Sequence, residues 1–111
     1  MSRAHETPAD VERWFHDQIA RLWPAGLGSL SLRRSPCVRP GCAACATGEQ
    51  HPSYVLYGRV GGRRTSVYVP DALVDVVGRT LTHGRTVQAL LYEAADRYAR
   101  ALKRAHRRAR R

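Results

Sequence analysis

The order of apolar and polar residues divides the chain into one helix, three strands and a second helical stretch. Val11, Trp14, Phe15, Ile19, Leu22 and Trp23 recur at helical spacing and make one apolar stripe. Thr7 can cap it, Pro8 suits a first turn, and Asp10 favours the positive end of a helix. These signals predict a helix over 7–23, stopped by Pro24, with both tryptophans as packing residues. Pro24-Ala25-Gly26-Leu27-Gly28 reads as a linker.

The period then changes to two. Ser29-Leu30-Ser31-Leu32-Arg33 alternates polar and apolar, as a half-buried strand does. Ser53 to Val60 is rich in aromatic and β-branched residues, Gly61-Gly62 is a hairpin signal, and Arg63 to Val69 is the returning strand. A two-residue turn pairs Val60 with Arg63, Arg59 with Arg64, Tyr57 with Ser66 and Val55 with Tyr68. One face then carries Leu30, Leu32, Tyr54, Leu56, Thr65, Val67 and Val69, the expected core side. The other carries Ser31, Arg33, Val55, Tyr57, Arg59, Arg64, Ser66 and Tyr68.

After Pro70 the helical period returns over 71–105, as a helical hairpin or one long helix, with His83-Gly84 as a break or C-cap signal. Val87, Leu91, Ala94, Tyr98, Ala101 and Ala105 recur at about 3.5 residues, which permits a short coiled coil, and so a homodimer through the C-terminal helices. The predicted fold is a single small α+β domain over 1–111. It has an N-terminal helix, a three-stranded antiparallel sheet over 29–70, C-terminal helices and a basic tail over 103–111.

Charge sharpens this picture. The formal net charge is +10, with one lysine among the 19 basic residues. Residues 1–23 balance to −1, 24–70 to +5, 71–96 to −2, and 97–111 to +8 with no acid. Arginine-rich composition alone would not confine the charge to two segments, and segregated basic charge is the footprint of a nucleic-acid binder. Arg33, Arg59, Arg63 and Arg64 in the sheet, with Arg104, Arg107 and Arg108 in the tail, are the candidate phosphate contacts, supplemented by Tyr57 and Tyr68. The competing reading is an ordinary solvated sheet face, polar by default. No apolar run approaches membrane-spanning length and the N-terminus has no hydrophobic signal core, which argues for a cytoplasmic protein without a membrane partner.

All three cysteines fall in one segment, Cys37-x4-Cys42-x2-Cys45-x5-His51, in the loop 37–51 between the first two strands. Structural zinc takes four cysteine or histidine ligands in a tetrahedron, and Cys42-Ala-Ala-Cys45 has the two-residue gap of a zinc knuckle. Pro40-Gly41 and Gly48 can turn the chain so that His51 returns to the site. Free thiols and a low-pKa reactive thiol are the alternatives to structural zinc. No second histidine or acid is placed to make a catalytic dyad, so the chain is read as non-enzymatic, without a small-molecule substrate.

From Gly28 to Pro70 the chain resembles a family of short, basic bacterial and archaeal proteins of unknown function. The residues that carry the resemblance are Cys37, Gly41, Cys42, Cys45, Gly48, Glu49, His51, Pro52, Tyr54, Tyr57, Gly61, Gly62, Val67, Tyr68, Val69 and Pro70. The family's pattern usually has one residue between the second and third cysteines, where this chain has two. Members are often encoded near transposases and integrases, so the resemblance implies a mobile-element or DNA context. The sheet is also similar, as a fold-level analogy, to the three-stranded arm-binding domains of phage-type integrases. The sequence thus predicts a non-catalytic DNA-binding protein. The alternatives are a single-stranded RNA binder and a helix-mediated dimerisation or docking module.

Overall fold

The computed structural model of the chain describes residues 3–35 and 51–110. A short 3-10 turn at Arg3–His5 precedes helix α1 (Pro8–Ile19). Strands β1 (Ser29–Ser35), β2 (His51–Val60) and β3 (Arg63–Val69) follow, then a 3-10 turn at Asp71–Leu73 and helix α2 (Val74–Ala109). The architecture is α+β, as the residue pattern predicts. The chain falls into two compact units, Gly26–Leu81 and the combination of Met1–Ala25 with Thr82–Arg111.

In the helical unit, α1 starts where the capping residues require. The Asp10 amide donates to the Thr7 hydroxyl at 3.1 Å and the Thr7 amide donates to the Asp10 carboxylate at 3.0 Å, a reciprocal capping box. The bonds from Thr7 hold the Asp10 carboxyl below its ordinary value. The helix ends at Ile19, short of the expected 23, with Ala20 as its cap. A residue preceding proline is disfavoured in helical geometry, and the chain leaves the helix before it reaches Trp23. Trp23 is consequently 82% exposed rather than packed. Trp14 does pack, and its partner is a charge: the Arg97 guanidinium lies 3.8 Å from its ring centroid.

Of the two readings of 71–105, one long helix is the one observed, and α2 runs through His83-Gly84 without a break. Glycine inside a helix costs about 1 kcal/mol relative to alanine. No proline follows it, the apolar period continues on both sides, and Gly84 is itself buried. His83 Nδ1 lies 3.0 Å from the Pro24 carbonyl oxygen. The basic tail is helical as far as Ala109.

In the sheet unit the strand order is β1-β2-β3, antiparallel throughout. Gly61 and Gly62 have φ of +58° and +82°, the left-handed pair of a type I′ turn, and this turn sets the register. Val60 pairs with Arg63, Arg59 with Arg64, Tyr57 with Ser66 and Val55 with Tyr68, as the turn length dictates. On β1, Leu30 pairs with Leu56 and Leu32 with Tyr54. The apolar face is less covered than expected: Val69 is buried, but Val67 is 54% and Val60 70% exposed.

Candidate nucleic-acid interface

Alternation along three paired strands brings Ser29, Ser31 and Arg33 of β1 to one face with Val55, Tyr57 and Arg59 of β2 and Arg64, Ser66 and Tyr68 of β3. None of the strands contains an acidic residue. An open groove of about 800 Å³ lies on this face, lined among others by Ser29, Ser31, Arg33, Tyr57, Arg59 and Arg64. Arg59 and Arg64 are direct cross-strand partners and both are exposed. Like charges placed opposite each other in a sheet are unfavourable by a few tenths of a kcal/mol or more. Among the described residues, neither has a carboxylate or hydrogen-bond partner to offset this.

Arg33 is held differently. Its Nε donates to the Tyr57 hydroxyl at 2.8 Å, and its guanidinium carbon lies 5.4 Å from the Tyr57 ring centroid. The backbone beneath is also fixed. Gly28 has φ of +157°, and a Cβ there would stand 2.6 Å from the Tyr57 carbonyl oxygen, so the linker approaches β2 more closely than any side chain allows.

The predicted contacts do not all share this site. The register sets Arg63 opposite Val60, on the side of Leu56 and Val67, so it is not part of the arginine face. Arg104, Arg107 and Arg108 belong to the helical unit. Arg104 is half-buried there and donates to the Glu6 carbonyl oxygen at 2.9 Å, so it serves the helix packing rather than an open surface. Arg107 and Arg108 are exposed in the last turns of α2. Tyr68 is 63% exposed and on the arginine face. Cys37, Cys42 and Cys45 lie outside the described residues, and His51 opens β2 opposite Ser35. No group of three or more metal-ligating side chains occurs among the described residues. Among them too, no helix is long and apolar enough to cross a membrane.

Sequence reasoning missed Ser29 and Gly28. Ser29 pairs with Tyr57, so extending the alternation by one pair was the signal for it. It also missed the ion cluster of the helical unit. Arg97 bonds both oxygens of Glu6 and donates to Glu93 at 2.9 Å, and Arg3 reaches Glu93 at 3.3 Å. The bond from Arg97 is the main cause that lowers the Glu6 carboxyl below its ordinary value, and the same pairing raises the Arg97 guanidinium further.

A family model described as a domain of unknown function, DUF6788, matches residues 8–79. The chain belongs to this family. The DUF6788 match contains α1, the whole sheet and the cysteine segment, and ends within the first turns of α2. No curated protein and no solved structure matches the chain.

Proposed function

We propose that this DUF6788 protein binds nucleic acid, duplex DNA in preference to RNA, through the Arg33–Arg59–Arg64 face, and that it does so without catalysis. The observation that carries this reading is the Arg59–Arg64 cross-strand pair, two exposed arginines directly opposite each other on strands that hold no acid. Such a pair opposes folding slightly and becomes favourable when a polyanion covers it. Arg107 and Arg108 at the end of α2 add a second basic surface. The resemblance to proteins encoded beside transposases and integrases supports a role accessory to a mobile element. The exposure of Leu91, Tyr98 and Leu102, at seven- and four-residue spacing along α2, favours pairing of two copies through that helix.

The test is a salt titration of affinity for a mixed-sequence duplex. Affinity falls steeply with salt, and replacing Arg59 and Arg64 together by alanine reduces the slope of log K against log salt by about 2, since each lost phosphate contact removes about 0.9. A flat salt response, or an unchanged slope in the double variant, contradicts the reading.

Zinc on Cys37, Cys42, Cys45 and His51 is the accompanying proposal. Its support is the ligand spacing together with the pairing of Ser35 with His51, which makes segment 36–50 a long connection between adjacent antiparallel strands. Connections of that length are uncommon in compact domains, and a bound ion would give this one a fixed course. Protein purified without a histidine tag is expected to hold about one zinc per chain, lost together with thermal stability in Cys42→Ser. Three freely titrating thiols and no metal would remove the zinc.

A further inference from the structure

Arg33 is the arginine of this face whose head group is fixed, and the register shows how. Tyr57 pairs with Ser29, and Arg33 lies four residues further along β1, roughly 13 Å away at 3.3 Å per residue. Neither side chain spans that distance alone. Both must lean toward each other over the Ser31–Val55 pair for Nε to reach the tyrosine hydroxyl at 2.8 Å. The Arg33 arm therefore lies along the sheet, bordering the groove that it lines.

A guanidinium carries its five N–H donors in one plane. With Nε committed to Tyr57, the outer edge formed by the two Nη groups is the free donor pair, and the tyrosine holds its plane. A phosphate accepts from mobile and fixed arginines alike, so Arg59 and Arg64, which nothing among the described residues holds, suffice for backbone contacts. A fixed planar fork has a more specific complement, a rigid planar pair of acceptors. In a nucleic acid that pair is O6 and N7 of guanine, offered in the major groove, which is wide enough for a small β-sheet.

We propose that Arg33 reads guanine through its two Nη groups, and that Tyr57 is the positioning residue that aims it. This rests on the reading of the arginine face as a nucleic-acid surface. It adds to that reading a base preference and a division of labour among the three arginines.

The experiment compares affinity for a mixed-sequence duplex with affinity for the same duplex in which 7-deazaguanine replaces guanine. The analogue keeps base pairing and charge and replaces the N7 acceptor by C–H. Wild-type protein is expected to bind the guanine duplex about tenfold more tightly, the scale of one lost hydrogen bond from a charged donor, since O6 stays in place. Tyr57→Phe keeps the ring and removes the acceptor that holds Nε, and its discrimination should fall to near unity. Arg33→Ala removes the donors altogether and should also fail to discriminate. Thermal unfolding of each variant shows that the fold is retained. Equal wild-type affinity for the two duplexes overturns the guanine assignment and leaves the phosphate-binding face standing. Full discrimination in Tyr57→Phe overturns the positioning role. Absence of binding to either duplex at low salt overturns the nucleic-acid face and this inference with it.

Discussion

Glu6 is a carboxylate only 8% exposed, an arrangement that requires a charged partner, and Arg97 supplies it. Arg97 also stacks on Trp14 and bonds Glu93, so one guanidinium joins α1, the segment before it and α2. Because the Glu6 carboxyl is lowered when folded, chiefly by its bond from Arg97, it contributes stability above the ordinary value of 4.5 and loses it as pH falls through the lower folded value. Glu6→Gln should destabilise the protein by about 2 kcal/mol at neutral pH, the scale of breaking a largely covered pair. The gap from wild type in thermal unfolding should close in the acid range below 4.5. A gap that does not change with pH contradicts the assignment. The Glu93–Arg97 pair is legible as an i,i+4 spacing. The Glu6–Arg97 pair joins residues 91 positions apart, and no periodicity in the chain signals it.

At the scale of elements, the hairpin was the most legible part. Gly-Gly between two alternating runs specifies a turn type, the turn specifies the register, and the register specifies both faces down to individual pairs. The same rule sets Arg63 apart from Arg59 and Arg64, a consequence visible in the sequence once Val60 is paired with it. The helix ends were less legible. Trp23 continued the apolar stripe beyond the true end of α1, and His83-Gly84 imitated a terminus that tertiary packing overrides. Two glycines test these local arguments with opposite signs. Gly78 lies in α2 and a Cβ there meets nothing within 4 Å, so Gly78→Ala should stabilise by about 0.5–1 kcal/mol through helix propensity. Gly28→Ala should destabilise by about 2 kcal/mol, since its φ and the approach of 2.6 Å to the Tyr57 carbonyl both resist a side chain. Denaturant unfolding of the two variants checks both; equal effects would show that the close approach at Gly28 does not matter.

At the scale of the molecule, the sequence separates basic from balanced segments, and the fold gives the two basic segments different settings. The central one becomes a sheet face without carboxylates, whereas part of the terminal one is drawn into packing by Glu6. Composition foretold the first and could not foretell the second, because charge counting does not see that Arg104 turns inward. The three cysteines lie outside the described residues, which fix only the positions flanking them, Ser35 and His51. The small core is likewise a matter of the whole chain: Val11 and Ala101 are the buried apolar residues described in the helical unit, and Val69 and Leu81 those in the sheet unit. With so little buried, charged side chains take much of the remaining surface, and their arrangement rather than their number points to function.

The most direct measurement is side-chain NMR of the protein titrated with a short duplex, because the two faces of the sheet carry distinguishable probes. Binding at the proposed surface shifts the Arg33, Arg59 and Arg64 Nε–H signals and the Tyr57 and Tyr68 rings, while the Leu30, Leu56 and Val67 methyls of the opposite face stay in place. Shifts confined to those methyls, or to the end of α2 with the sheet arginines silent, would contradict the assignment of this face as the nucleic-acid surface.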